Sequence, residues 1–238
     1  MCINSMKKKI KLQNSNWNFS GNVPHNFDKH ITKSIPFYKE SHYIGLLISD
    51  FFIPENGLVC DIGCSTGTFI SALAERHSSK KFKIHGYDEI PGMVKIAKKN
   101  CKKNSRIKII KEDILKIKLK NLNYITSFFT IQFIHPSKRQ KLFNNIYNGL
   151  EWGGGFLFFE KVRAPDARFQ DITNQIYTEI KINNGFSDSE IINKTRSLKG
   201  VMEPFSSNAN IQLAKRAGFK DVMSIFKYVN FEGFLAIK

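Results

Sequence analysis

One segment, LVCDIGCSTGTFI at residues 58–70, constrains the fold more strongly than any other part of the chain. Its first five residues are mostly apolar, which is typical of a buried strand. Gly63 and Gly67 then enclose three small residues, and residues 68–77 have the apolar spacing of a helix. A buried strand that turns through glycines into a helix predicts the first βα unit of a parallel sheet.

Strand and helix continue to alternate as far as residue 160. We predict strands at 83–87, 107–111, 124–130 and 155–160, and helices at 91–101 and 136–150, the last ended by WGGG. Parallel strands need long crossover connections, and a helix usually supplies them. The alternation therefore predicts an α/β, Rossmann-like fold with a doubly wound, mostly parallel sheet.

The pattern changes after residue 160. Residues 168–183 and 187–199 have helical spacing with no strand between them, which predicts a helical insertion after the fifth strand. Residues 208–217 predict a further helix ended by Gly218, and VMSIFKYVNFEGFLAIK predicts two strands joined at NFEG. We therefore expect seven strands with an antiparallel hairpin at one edge. Two more helices are predicted before the first strand, at 27–32 and 41–52.

The charge of the chain is strongly basic, with 37 Lys and Arg residues against 20 Asp and Glu residues and a formal net charge of +17. Such an excess favours anionic partners. The lysines, however, are spread along the chain among many Asn and Ile residues, a compositional bias that AT-rich coding alone can produce. Because no recognised RNA-binding motif occurs, nucleic acid stays open as a partner that we do not favour.

The cysteine pattern and the length of the apolar stretches argue against a zinc protein, a disulfide-bonded protein and a membrane protein. Four cysteines contain no CxxC pair, so we expect neither a zinc site nor disulfides, and a reduced, cytoplasmic location. No apolar stretch approaches the roughly 18 residues of a membrane span, so no membrane partner is expected.

The glycine loop is placed to bind a nucleoside. Open α/β sheets hold their ligands at the carboxyl ends of the strands, where Gly63 and Gly67 lie in this prediction. Asp88 ends the second predicted strand, near the offset at which an acidic residue meets a ribose hydroxyl. Glu112 and Asp113 follow the third strand and can reach an adenine edge. Three strand ends thus point to one nucleoside, whereas the loop alone is also compatible with an ordinary tight turn.

The spacing within the loop separates two classes of nucleotide site. Dinucleotide oxidoreductases favour G-x-G-x-x-G, which is absent here. Asp61 lies two residues before Gly63, and Gly67 lies four residues after it, which resembles the S-adenosyl-L-methionine loop of class I methyltransferases. Ser65 stands in the middle of the loop, where many such loops have glycine.

We expect a single domain over residues 1–238, because neither a long linker nor an internal repeat divides the chain. Its parts are an N-terminal arm with lid helices (1–56), a nucleoside-binding half (57–160), a helical insertion (161–200) and a C-terminal helix with the hairpin (201–238). The first residues, about 20 of them, are polar and predict a loose arm.

Longer motifs resemble one branch of the methyltransferase superfamily, the carboxy-S-adenosyl-L-methionine synthases. The resemblance runs from Phe27 to Lys238. It rests on SIPFY, DIGCSTG, FTIQFIHPSKRQKLFNNIYNGLEWGGGFLFFEK, NGFSDSEIINKTRSLKGVM and KRAGF. It implies a homodimer that binds S-adenosyl-L-methionine, takes a carboxyl group from prephenate and supplies the modification of tRNA wobble uridines.

The same resemblance implies roles for individual residues. Tyr38 approaches the methionine end of the cofactor and, with Gln132, lines its reactive end. Asp88 meets the ribose, and Asp113 with Ile114 meets the adenine. The complete set expected at the cofactor is Tyr38, Asp61, Gly63, Ser65, Gly67, Asp88, Asp113, Ile114, Phe128 and Gln132.

Two positions depart from the family pattern. Phe128 stands where the family usually has a polar Asn at the end of the fourth strand. Leu213 stands where we place the arginine that binds the added carboxylate, and losing the partner of a desolvated charge costs about 3–5 kcal/mol. Unless Lys215 or Arg216 replaces that arginine, we expect a methyltransferase with a small-molecule acceptor, and the synthase is the alternative.

The remaining predictions concern catalysis and the second substrate. Methyl transfer depends largely on positioning. If an acceptor must lose a proton, Tyr38 or His135 is the candidate base. The alternative for Tyr38 is an aromatic lid over the loop, and the position of His135 before Pro136 favours a helix cap or a surface role over catalysis. Arg196 and Glu160 are the candidate substrate-binding residues, with solvated surface charges as the alternative for both. Arg163 and Arg168 are further candidates for an anionic acceptor.

Overall fold

The structure of the protein is a computed structural model that describes residues 23–238. The predicted loose arm and Cys2 lie outside the described residues. Within 23–238, no helix is long and apolar enough to span a membrane.

Seven strands and eight helices make up the described part of the chain. The strands are β1 Leu58–Ile62, β2 Lys83–Asp88, β3 Ile107–Lys111, β4 Leu122–Phe128, β5 Leu150–Lys161, β6 Asp221–Tyr228 and β7 Phe231–Ile237. The helices are α1 Val23–Ser34, α2 Tyr38–Phe52, α3 Thr68–Arg76, α4 Pro91–Asn100, α5 Pro136–Gly149, α6 Ala167–Asn183, α7 Asp188–Ser197 and α8 Ser207–Ala217.

All seven strands belong to one sheet in the order β3-β2-β1-β4-β5-β7-β6. The first five strands are parallel, and β7 is antiparallel to both β5 and β6. This confirms the predicted α/β fold, its seven strands and its antiparallel edge. The strand order reverses between β1 and β4, so the loops after these two strands flank the crevice where such sheets bind ligands.

Helices cover both faces of the sheet and bury two apolar clusters. One cluster lies under α5 and α8 and includes Phe143, Phe156 and Phe219. The other lies under α2 and α3 and includes Phe69 and Leu73. Because both faces are covered, the central strands are mostly apolar, as is typical of parallel strands.

Several predicted boundaries are wrong, among them the end of the fourth strand, which the structure places at Phe128 rather than at residue 130. Helix α5 ends at Gly149, and WGGG belongs to β5, because Gly153 N–H donates to Lys238 O and extends the sheet. Gly155 also needs to lack a side chain, since a Cβ there would lie 2.8 Å from the Phe52 ring. The final hairpin turns at Val229 and Asn230 rather than at NFEG.

Candidate active site

The glycine loop after β1 has a tight backbone. Gly63, Ser65 and Gly67 all have left-handed φ angles of 74°, 52° and 80°. A Cβ at Gly63 would lie 2.1 Å from Thr130 Oγ1, and one at Gly67 would lie 2.8 Å from Cys101 Sγ. Glycine is therefore required at both ends, for conformation and for space.

The end of β2 holds this loop in place. Gly63 and Cys64 donate their amides to Tyr87 O at 2.8 and 2.9 Å. Asp88 accepts from the Ser65 and Ile90 amides, both at 2.9 Å. Burial raises the pKa of Asp88, although the two amide bonds oppose that shift. Each carboxylate oxygen keeps a lone pair, so Asp88 can still accept from a ligand hydroxyl.

Asp61 is a buried acid directly before the loop, and only 3% of it is exposed. Thr126 donates its hydroxyl to Asp61 Oδ1 at 2.7 Å. Burial raises the pKa of Asp61 to about 7, and the charge of Asp88 adds to this shift. No cationic side chain within residues 23–238 pairs with it. A cationic ligand at the loop would therefore stabilise the ionised form.

Helices α1 and α2 cover the loop. Asp28 of α1 accepts from the hydroxyls of Thr66, at 2.8 Å, and Thr68, at 3.4 Å. Tyr38 begins α2, and its ring lies 6.0 Å from that of Phe129. Burial and the charges of Asp28 and Asp61 raise the pKa of Tyr38 above its usual range. Its phenol is thus suited to donate a hydrogen bond and poorly suited to act as a base.

At the end of β3, Asp113 caps a short 3₁₀ turn by accepting from the Leu115 amide at 2.9 Å. Ile114, the first residue of this turn, is buried. At the end of β4, Phe128 stacks on Phe159 with centroids 5.5 Å apart and meets His42 edge-on at 4.5 Å. The Phe128 position is therefore part of an aromatic wall.

Glu160 is not a surface residue, which was one of the two alternatives that the sequence left open. Only 2% of it is exposed, and its two oxygens accept from the Ile131 and Gln132 amides at 2.9 and 2.8 Å. Burial raises the pKa of Glu160 to about 8, against the opposing effects of these amides and of Arg139. Glu160 thus holds the turn after β4.

The same turn fixes Gln132. Its Nε2 donates to Phe129 O at 3.1 Å, and its Oε1 accepts from the Lys161 amide at 3.1 Å. Arg139, which sequence analysis missed, donates to Gln132 O at 3.1 Å and lies 4.3 Å from the Phe205 ring centroid. These bonds hold the turn after β4 and the end of β5 together.

His135 is exposed and caps α5, with Nδ1 accepting from the Ser137 amide at 3.3 Å. Among the basic candidates, Arg163 and Arg168 are exposed. Arg196 differs, because its Nη1 is buried and makes no hydrogen bond to any other residue of 23–238. A buried cationic nitrogen without an acceptor is unfavourable unless an anion reaches it.

Sequence analysis also missed three lysines around Tyr177, which we call the lysine cluster: Lys161, Lys181 and Lys194. The ammonium groups of Lys161 and Lys181 lie 4.6 and 4.5 Å from the Tyr177 ring centroid. Lys194 donates to Ser34 Oγ at 2.9 Å. No local motif joins these positions, since the chain passes through two helices between them.

Known proteins resemble this chain along nearly its whole length. A carboxy-S-adenosyl-L-methionine synthase of Staphylococcus epidermidis is 40% identical over 223 residues, which cover 93% of this chain and 97% of that protein. The synthase of Campylobacter lari is 33% identical and covers 98% of this chain and 97% of that protein. This chain belongs to the carboxy-S-adenosyl-L-methionine synthase family. A methyltransferase-domain family also matches residues 59–154.

Solved structures show that this chain has a methyltransferase fold. A putative S-adenosyl-L-methionine-dependent methyltransferase of Methanococcus maripaludis aligns with a TM-score of 0.61 at 22% identity, covering 94% of this chain and 95% of that one. Human N-acetylserotonin methyltransferase aligns with a TM-score of 0.62 at 18% identity, covering 92% of this chain and 56% of that one.

The interpretation of Leu213 as a missing carboxylate partner is wrong for this fold. Leu213 is 2% exposed and packs in the apolar cluster under α5 and α8. Lys215 and Arg216 are exposed, and Arg216 donates to Gln140 at 2.8 Å on the outside of α5. A leucine therefore suits position 213, and it gives no reason to set this chain apart from the synthases.

Proposed function

We propose that this protein is a carboxy-S-adenosyl-L-methionine synthase, which joins S-adenosyl-L-methionine to a carboxyl group taken from an acid such as prephenate. The support is the identity of 40% to a synthase over 93% of the chain. The expectation of a small-molecule methyltransferase depended on Leu213, and that residue lies in the core. The synthase therefore replaces the methyltransferase as the leading function.

The residues around the glycine loop fit the cofactor. Gly63 leaves space for close approach, Asp88 keeps lone pairs for ribose hydroxyls, and Asp61 is a buried acid that no cationic side chain of the described residues pairs with. We propose that Asp113 and Ile114 hold the adenine and that Tyr38 covers the methionine end. The bound cofactor supplies a sulfonium, which activates the carbon atoms attached to it.

This chain's own residues then orient and shield the reactive end. The Tyr38 phenol, which keeps its proton, donates to an acceptor oxygen or nitrogen of the ligand. The aromatic wall of Phe128 and Phe129 excludes water from the crevice after β4. The turn fixed by Glu160 keeps Gln132 and the end of β5 in one position.

The observation that supports the carboxyl chemistry is Arg196 Nη1, which is buried and makes no hydrogen bond within the described part of the chain. We propose that this nitrogen binds the carboxylate of the carboxylated product. The sequence predicted Arg196 as a substrate-binding residue. The function of the family indicates that the ligand of Arg196 is a carboxylate. A methyl donor that lacks the added carboxylate would not supply this partner to the guanidinium nitrogen.

Mass spectrometry of the ligand released from freshly purified protein tests the proposal, with Arg196→Met as the variant and Arg216→Met, an exposed arginine on the outside of α5, as its control. The wild type and the control should release carboxylated cofactor. Arg196→Met should release mainly S-adenosyl-L-methionine, since removing a charged hydrogen bond costs about 1.5–3 kcal/mol, roughly ten- to hundredfold in affinity. Release of S-adenosylhomocysteine alone from the wild type would favour the methyltransferase.

We further propose that the protein works in the cytoplasm as a homodimer on small molecules. Helix α6 has no buried residue, and Phe169, Ile172 and Ile176 are exposed on it at helical spacing. An apolar stripe of this kind is suited to a protein partner. Sedimentation should give a dimer for the wild type and a monomer for Ile172→Asp, and a monomeric wild type would contradict the proposal.

A further inference from the structure

Two ammonium groups lie against one tyrosine near the carboxyl edge of the sheet, and a third lies beside Ser34, which that tyrosine also contacts. Lys161 and Lys181 both lie within 5 Å of the Tyr177 ring centroid. The Tyr177 hydroxyl donates to Ser34 O at 2.8 Å, and Lys194 donates to Ser34 Oγ. The three lysines come from β5, α6 and α7, so the fold builds this group rather than one surface helix.

The lysine cluster has an excess of positive charge. No carboxylate of residues 23–238 forms an ion pair with Lys161 or Lys181. Arg163 lies beside Lys161, and His30 lies 2.7 Å from Lys194 Nζ, with the carboxylate of Glu190 close enough to act on His30. All three lysines are half-buried rather than solvated.

Burial and mutual repulsion both disfavour the charged forms of these side chains. Desolvation, followed by the charges of Lys181 and Arg163, lowers the pKa of Lys161 to about 8. Desolvation, followed by the charges of Lys181 and Lys161, lowers the pKa of Lys194 to about 8. Desolvation also lowers the pKa of Lys181. A bound anion would remove this unfavourable energy.

The position of the cluster relates it to the reaction. Lys161 is the last residue of β5, and its amide donates to Gln132 in the turn after β4. Phe231 packs edge-on against both Tyr177, at 5.2 Å, and Phe129, at 6.1 Å. The cluster thus adjoins the β4–β5 side of the crevice, opposite the nucleoside side formed by β2 and β3.

We infer that the lysine cluster binds a carboxylate group of the acid that reacts with the cofactor. This inference rests on the proposed function, since it assigns that reaction's second substrate to a place in the fold. The two ammonium groups can pair with the carboxylates of an acid that carries more than one of them. The aromatic ring beside them can pack against the apolar part of the same acid. In this proposal Arg196 binds the carboxylate of the product, and the lysine cluster binds the acid substrate.

Isothermal titration calorimetry with prephenate as the dicarboxylate, phenylpyruvate as the monocarboxylate and inorganic phosphate tests the binding without turnover. The wild type should bind prephenate best. Lys161→Met and Lys181→Met should each weaken prephenate binding by roughly ten- to hundredfold. Lys215→Met removes the same charge from exposed α8 and should bind as the wild type does. Equal affinities in the cluster variants and the wild type would overturn the inference, as would phosphate binding as tight as prephenate binding.

Steady-state kinetics separate this inference from the proposed function. The cluster variants should raise the KM for prephenate and leave the KM for S-adenosyl-L-methionine unchanged, and Lys181→Arg should restore most of the loss. Carboxylated product with an unchanged prephenate KM in both Met variants would refute the lysine cluster and keep the synthase. Cluster-dependent binding of prephenate without any carboxylated product would keep the site and refute the synthase.

Discussion

Asp88 accepts a hydrogen bond from the backbone amide of Ser65 at 2.9 Å, and this bond ties the end of β2 to the glycine loop after β1. One carboxylate thus fixes the loop and keeps acceptor sites for a ligand. Asp88→Asn should weaken S-adenosyl-L-methionine binding by about 1.5–3 kcal/mol, because charged hydrogen bonds are lost on both sides. Calorimetry should show no such change for Glu89→Gln, the exposed neighbour. Equal losses in both variants would contradict this role.

Gly63 and Gly153 make a matched pair for testing the crowding in the loop. Both have left-handed φ angles, 74° and 76°, but only Gly63 has an atom, Thr130 Oγ1, within contact of an added Cβ. Gly153→Ala should cost about 1 kcal/mol of stability from backbone conformation alone. Gly63→Ala should cost more than that and abolish cofactor binding. Thermal unfolding and calorimetry measure both, and equal costs would show that the loop is not crowded.

Cofactor affinity should depend on pH through Asp61. Its pKa is raised to about 7 in the ligand-free protein, and a cationic ligand lowers it, so binding releases a proton. The affinity for S-adenosyl-L-methionine should therefore rise with pH, by up to about tenfold per pH unit below 7, and level off above 7. Asp61→Asn should bind weakly at every pH between 5 and 9. A pH-dependent affinity that persists in Asp61→Asn would contradict the assignment.

The stability of the ligand-free protein should depend on Lys161 in alkaline solution. The folded pKa is lowered to about 8 from 10.5, so the unfolded chain binds more protons between these values. The contribution of Lys161 to the free energy of unfolding must then rise with pH across that interval. Urea titrations should show that the free energy of unfolding of the wild type rises relative to that of Lys161→Met between pH 8 and 10. Buried cysteines and tyrosines affect both proteins alike, and a constant difference would contradict the low pKa.

Variants of His135 test whether this residue is a helix cap or a catalytic base. Its hydrogen bonds to Ser137 are those of a helix N-cap. His135→Ala should lower stability by about 1 kcal/mol and leave kcat unchanged. His135→Asn, which also caps, should restore the stability. A large loss of kcat in both variants, with folding intact, would show that the cap interpretation is incomplete.

The sheet and the glycine loop could be predicted from the sequence because their signals are local. Apolar runs, helical spacing and the glycines around Ser65 specify the βα units, and parallel pairing brings Gly63 and Asp88 to one edge. Glu160, Leu213 and the lysine cluster could not be placed in this way. Their environment depends on which distant segment packs on them, such as the turn after β4 for Glu160 and α5 for Leu213.

The central claim is that this chain carboxylates S-adenosyl-L-methionine. Incubation of the purified protein with S-adenosyl-L-methionine and uniformly ¹³C-labelled prephenate, followed by mass spectrometry of the nucleoside product, tests it most directly. The account predicts a product that carries one additional carboxyl group with a single ¹³C atom, formed without any methyl acceptor. Unchanged S-adenosyl-L-methionine after many enzyme equivalents of both substrates would contradict it.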